Sequence, residues 1–167
     1  MNTLFETVDS LTGEHEEVIR RRRYGVIEVR CGEFVGIHFR PWPKIISVAE
    51  AWWDGGVRSR NSCDRCLLYF NQPISSSNYL ALKYIVSSQE TSVKTIRLAL
   101  RLLDEVAKIK QTDAIVCEVS NLRISDRLLE RWGWERHVEN SRRRHRIRRF
   151  YGNYPTPSQR LISQLSE

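Results

Sequence analysis

The stretch from Asn78 to Val119 constrains this chain more than any other, because it reads as strand, long helix, strand. Asn78-Tyr-Leu-Ala-Leu-Lys-Tyr-Ile-Val86 is rich in β-formers and holds no Gly or Pro. A helix is predicted from about Ser88–Thr91 to Lys110. Its residues Ile96, Ala99, Leu100, Leu103, Val106 and Ala107 recur at the i, i+3, i+4, i+7 spacing of one buried stripe, which Leu98, Leu102 and Ile109 widen. The opposite face is assigned Lys94, Arg97, Arg101, Asp104, Glu105 and Lys108, with Arg101/Glu105 and Asp104/Lys108 spaced as ion pairs. Ser87-Ser-Gln-Glu90 has the form of a capping box, which marks a helix start. Asp113-Ala-Ile-Val-Cys-Glu-Val119 then fits a buried strand. A strand, a crossover helix and a strand make a right-handed unit whose two strands run parallel.

The flanks supply further elements. A short strand near Leu4–Val8 leads to a polar turn at Thr12–Glu14. Tyr24–Arg30 and Glu33–Phe39, joined by Cys31-Gly32, read as a hairpin. Pro43 suits the first turn of a helix from Lys44 to Asp54, stopped by Gly55-Gly56. Cys66–Asn71 is a strand. Beyond the central unit, Ile124, Leu128, Leu129 and Trp132 share one face of a short helix, and Gly133 is its cap. Trp134–Val138 and His145–Tyr151 form a closing hairpin, with Glu135 and Glu139 placed to face some of its Arg side chains. Ser158–Leu165 is a terminal helix or a frayed tail. The expected fold class is α/β, a mixed sheet flanked by helices, in a single domain over 1–167 with a core at about 24–151.

Composition narrows the function classes. Apolar residues make up 41% of 167, including five Trp, six Tyr and five Phe, enough for a sizeable core. No apolar run approaches a membrane span. Glu6, Asp9, Glu14, Glu16 and Glu17 near the start argue against a secretory or transit segment, so the cytoplasm is the expected compartment. The net charge is +7, and 22 of the 27 basic residues are Arg. They concentrate in Arg20, Arg21, Arg22 and Arg23 and in Arg142, Arg143, Arg144, Arg146, Arg148 and Arg149. Such clusters suit nucleic acid, an acidic protein or phosphate groups; alternatively they form a solvated face paired with carboxylates. Cys63-Asp-Arg-Cys66 has zinc-like spacing but no matching second pair, so no metal site is expected. Cys117, inside an apolar strand, reads as a small buried hydrophobe.

From Val116 to Trp134 the pattern of strand, Asn121, short helix and Trp132-Gly133-Trp134 resembles the GNAT superfamily of acyl-CoA-dependent N-acyltransferases. The order of elements from Tyr24 to Tyr151 is similar as well. The resemblance implies a sheet splayed at its centre, with acetyl-CoA or another acyl-CoA in the cleft between the Asn78 and Asp113 strands. It implies that backbone groups near Tyr84, Ile85 and Val86 hold the pantetheine arm, that the pyrophosphate sits at the N-terminus of the long helix, and that Asn121 lines the cleft. The reaction implied is attack of an amine on the thioester.

The chain departs from the family at two points. It has no Gly from Val57 to Trp132, and Thr95 and Arg97 stand where the family's phosphate loop carries small residues. Lys94 and Arg97 are the side chains placed to bind phosphate by charge instead. Leu129 stands where many members carry an acidic Tyr, and Glu118 is the one candidate base. Two functions remain open on this footing. One is a divergent acyltransferase of unknown substrate. The other is a non-catalytic GNAT-like module whose Arg clusters meet nucleic acid or an acidic partner.

Overall fold

The computed structural model describes residues 5–42, 64–119, 124–138 and 142–157. The expected helix Lys44–Asp54, Cys63, Asn121, Glu139 and the tail Ser158–Leu165 lie outside the described residues. The elements in chain order are β1 (Glu6–Val8), α1 (Glu14–Arg21), β2 (Tyr24–Arg30), β3 (Glu33–Arg40), β4 (Arg65–Asn71) and a 3-10 turn (Ile74–Ser76). There follow β5 (Tyr79–Ser87), α2 (Val93–Ile109), β6 (Ala114–Glu118), α3 (Asp126–Arg131), β7 (Glu135–Arg136) and β8 (His145–Arg149).

The eight described strands form one sheet in the order β1-β3-β2-β4-β5-β6-β8-β7. Strand β5 pairs with β6 in parallel, and every other neighbouring pair is antiparallel. The chain is thus a mixed α/β fold, its eight-stranded sheet flanked by helices, with a crossover helix between the two parallel strands.

Residues directly opposite in a ladder share a face. One face therefore carries Ile37 and Phe39 of β3, Ile27 and Val29 of β2, Leu68 and Phe70 of β4, Leu80 and Leu82 of β5, and Ile115 of β6. All are buried, and they meet Ala99, Leu102, Leu103, Val106 and Ala107 of α2 and Ile19 of α1 in one core. Each such Leu or Ile contributes roughly 1.5–3 kcal/mol by leaving water, and truncating Leu103 to Ala would cost about 2–5 kcal/mol. On the opposite face Glu28, 5% exposed, joins three strands. Its carboxylate accepts from Arg30 Nε at 2.7 Å and from Arg65 Nε at 3.0 Å. His38 Nε2 stands 3.0 Å from the other oxygen. A carboxylate only accepts, so Nε2 carries a proton, and Nδ1 stands 3.0 Å from the Thr7 hydroxyl. Burial would raise the Glu28 pKa, but His38, Arg65 and Arg30 together hold it below the ordinary range.

Three local expectations are corrected. The segment after Gly13 forms helix α1, whose first turn holds Glu14, Glu16 and Glu17 and whose last turn holds Arg20 and Arg21. This charge order suits the helix dipole, a signal that outweighed the polar look of the segment. Helix α2 begins later than the Ser87–Glu90 box implies: Ser92 is its N-cap and accepts from the Thr95 N–H at 3.2 Å. Asp104 and Glu105 are not on a solvent face. They are 7% and 9% exposed, because α2 has neighbours beside it as well as beneath it. Asp104 meets Arg148 of β8 at 2.8 Å in place of Lys108, and Glu105 meets Lys108 at 3.9 Å.

Candidate functional site

A fork opens at the centre of the sheet. Strands β5 and β6 pair only from Tyr79↔Ala114 to Leu82↔Cys117. Immediately beyond, the β4–β5 register steps from Phe70↔Leu82 to Tyr69↔Tyr84, leaving Lys83 without a partner. A bulge adds local twist, and here it turns β5 away from β6. From Lys83 to Ser87, β5 pairs with β4 alone, so its other edge meets no described strand. Strand β6 stays with β8 to Glu118↔His145. The expected central splay is present.

Tyr84, Ile85 and Val86 lie on this free edge. Tyr84 and Ile85 are 39% and 38% exposed, unusual for rings and aliphatics beside a core. Tyr84 packs edge-on against Tyr69, ring centroids 6.4 Å apart. Glu118 stands on the opposite lip, exposed and 3.6 Å from Arg143. The register puts Tyr84 and Glu118 on the same face of the sheet, away from α2. Cys117 faces α2, and burial pushes its thiol up to about 12, which leaves it no thiolate to act as a nucleophile.

At the N-terminus of α2 a carboxylate from the chain itself takes the place of an anion. Asp64 accepts from the Ser92 N–H at 2.9 Å, from the Ser92 hydroxyl at 2.6 Å and from the Thr95 hydroxyl at 2.7 Å. Burial raises its pKa, and the bonds from Ser92 and Thr95 outweigh that and hold it below the ordinary value. Thr95 is 0% exposed. Lys94 lies over Gly32 of the β2–β3 turn, where an added Cβ would come within 2.7 Å of Nζ. Arg97 is exposed and turns toward α3. The three phosphate-loop candidates are therefore not brought together, and Asp64, which no spacing rule singled out, is the residue that completes this helix end.

A cavity of about 390 Å³ lies on the α2 side of the sheet. Its walls are Leu100 and Asp104 of α2, Trp132 and Trp134 after α3, and Pro155 and Pro157. Arg97, Arg101 and Arg131 stand at its rim, and Arg148 at its floor. Gly133, with φ +81°, lets the chain double back between the two Trp rings while Arg148 donates to the Trp132 carbonyl. Burial pushes the Asp104 carboxyl up to about 6 even though Arg148 beside it favours the charged form. This site was missed in the sequence because Asp104 and Arg148 are 44 positions apart and meet only through the sheet.

The Arg clusters are largely engaged with acids. Arg144 and Arg146 both meet Asp126, Arg146 at 2.6 Å, and Arg149 meets Glu135 as expected. The pair Arg144 and Arg146 holds the Asp126 carboxyl below its ordinary pKa. Arg146 is 1% exposed, with Nε and one terminal nitrogen left without a hydrogen bond. Arg21 and Arg22 meet Glu6, and Arg20 meets Glu16. Pairing with carboxylates engages most of these arginines, and Arg22, Arg144, Arg146 and Arg148 are largely withdrawn from solvent as well. Among the described residues no group of His, Cys, Asp and Glu is arranged to hold a metal ion, and no helix is long and apolar enough to cross a membrane.

Sheet order, crossover helix and central fork define a mixed α/β protein with one parallel strand pair inside an otherwise antiparallel sheet. No protein-family model matches the chain, and no curated protein matches it. Among solved structures, that of a nourseothricin acetyltransferase is similar over 87% of this chain and 96% of its own, at 11% identity and a TM-score of 0.34. A likeness at that level carries no argument about activity.

Proposed function

We propose that this protein is a divergent acyl-CoA-dependent N-acyltransferase of unknown substrate. The observation that supports it is the fork. The free edge of β5 from Lys83 to Ser87 offers backbone N–H and C=O groups to the amides of a pantetheine arm, much as a sheet edge receives an added strand. Tyr84, Ile85 and Val86 are the residues proposed to hold that arm, with Asn121 at the cleft. An amine would attack the thioester carbonyl, a C–N bond forming as the C–S bond breaks. The thiolate leaves, and the proton lost by nitrogen goes to a base or to water. Glu118, on the lip of the fork, is the proposed base.

One observation favours a second reading, a GNAT-like module that binds a partner without catalysis. Asp64 supplies to α2 the negative charge that a pyrophosphate would otherwise bring. Calorimetric titration with acetyl-CoA and with CoA separates the two. Micromolar binding supports the acyltransferase, with the phosphates held by side chains such as Arg97. Absence of binding up to millimolar concentration removes it and leaves the binding module.

A further inference from the structure

We infer that Thr7, His38 and Glu28 form a hydrolytic site on the face of the sheet away from α2: a hydroxyl nucleophile, a base and an orienting carboxylate that cleave an ester bearing an aromatic or other apolar group. This inference does not rest on the acyl-CoA reading, since the three residues belong to β1, β3 and β2, and β4 separates these strands from the β5–β6 fork.

Three neighbouring strands bring these side chains together. The register pairs Thr7 with His38, and His38 with Val26, two positions from Glu28 on the same face. The Thr7 hydroxyl stands 3.0 Å from His38 Nδ1, and His38 Nε2 stands 3.0 Å from Glu28 Oε2. A nucleophilic hydroxyl needs this order, one ring nitrogen facing it and the other held by a carboxylate. In the neutral imidazole the proton on Nε2 leaves Nδ1 a lone pair toward Thr7. Burial runs the same way: the Glu28 side chain is 7% exposed, that of His38 40%, and Thr7 is open to solvent. Arg30 and Arg65 both donate to Glu28 Oε1, so the buried charge is offset without His38, and Oε2 is left to orient the ring. Phe5, two positions before Thr7, packs edge-on against Trp42 with ring centroids 6.2 Å apart. The two rings are 65% and 56% exposed. An exposed aromatic pair beside an exposed hydroxyl suits the apolar part of an ester. The outer edge of β1 pairs with no described strand, so its backbone N–H groups are open to the oxygen of an attacked carbonyl. Thr7 Oγ1 bonds to the carbonyl carbon as the ester C–O bond breaks. The alcohol or phenol oxygen leaves with the electron pair, and the Thr7 proton passes to Nδ1. Water then attacks the acyl-threonine, gives its proton to Nδ1, and Thr7 leaves as the hydroxyl by taking a proton from His38.

The test is hydrolysis of p-nitrophenyl acetate by the whole chain, with mass mapping of the acylated residue. A rate above that of imidazole at equal concentration is expected, with the acetyl group on Thr7. Thr7→Val, which loses the hydroxyl, is expected to lower kcat/KM at least tenfold, and Thr7→Ser to keep it. Thr7 is exposed, so an unchanged denaturation midpoint is expected for both variants and shows that the fold is kept. Glu28→Gln is expected to lower kcat with KM unchanged, as suits a positioning residue, and Phe5→Ala to raise KM with kcat unchanged. A rate no greater than that of imidazole, hydrolysis unaffected by Thr7→Val, or acetyl groups confined to lysine and cysteine overturns the site. An unchanged KM in Phe5→Ala overturns the part assigned to the aromatic pair.

Discussion

Asp64 accepts a 2.7 Å hydrogen bond from the hydroxyl of Thr95, 31 positions away, and so ties the first residue of the β4 approach to the first turn of α2. The same carboxylate accepts from the backbone and hydroxyl of Ser92. One side chain thus does two things: it caps the crossover helix and it occupies the place where an anionic ligand would be favoured.

Replacing Asp64 should separate those roles. Asp64→Asn keeps one acceptor but loses the charge, and it is expected to lower stability by about 1 kcal/mol, the scale of a helix cap. The Asp64 pKa is depressed in the folded state, so its contribution is present above about pH 4 and is lost as pH falls through the folded value. Denaturant midpoints of the two proteins are therefore expected to converge on acidification. If acyl-CoA binds at this helix end, Asp64→Ala should also tighten it, which the same titration reads.

Asp104 should show the opposite sign. Its folded pKa, pushed up to about 6, lies above the value of an unfolded Asp, so the folded chain binds the extra proton between about pH 4 and 6. Its contribution is most favourable on the acid side and declines as pH rises through that window. Asp104→Asn is expected to remove this slope, so that the stability difference between variant and wild type changes between pH 4 and 6 and is flat above 7. A difference independent of pH would show that Arg148 keeps Asp104 charged throughout.

Lys110 links the end of α2 to α1 and to the end of β4, donating to Arg22 O, Gln72 Oε1 and Arg20 O at 2.5, 3.0 and 3.3 Å. Burial, with the Arg23 charge nearby, lowers its pKa to about 8. The unfolded chain holds that proton to a higher pH, so stability should rise with pH between about 8 and 10. Lys110→Met is expected to abolish that rise in alkaline denaturation curves.

Gly133 has two reasons to be glycine. Its φ of +81° is left-handed, and a Cβ there would collide with a terminal nitrogen of Arg148. Gly133→Ala is expected to cost at least the 1–2 kcal/mol of the left-handed conformation, about as measured by urea denaturation, and to shift Arg148 from the cavity floor.

Local pattern was enough for the elements whose signal is periodic. The stripe from Ile96 to Ala107 fixed the crossover helix, and unbroken β-formers fixed β5 and β6, because burial of one continuous face needs that spacing in any context. The same order of elements carried the parallel pairing, while the fork that follows it was implied by the family resemblance alone. Local pattern could not report what stands beside a helix, so Asp104 read as solvated until β8 brought Arg148 to it. Nor could it find the Asp64 cap or the pairing of Arg146 with Asp126, since each joins segments distant in the chain. Sequence by itself determined the apolar stripe of the crossover helix that must leave water and the order strand, helix, strand at the centre of the chain. Tertiary structure decided which charges meet, because the strength and sign of an ionic contact depend on distance and burial, and neither is a property of neighbouring residues in the chain.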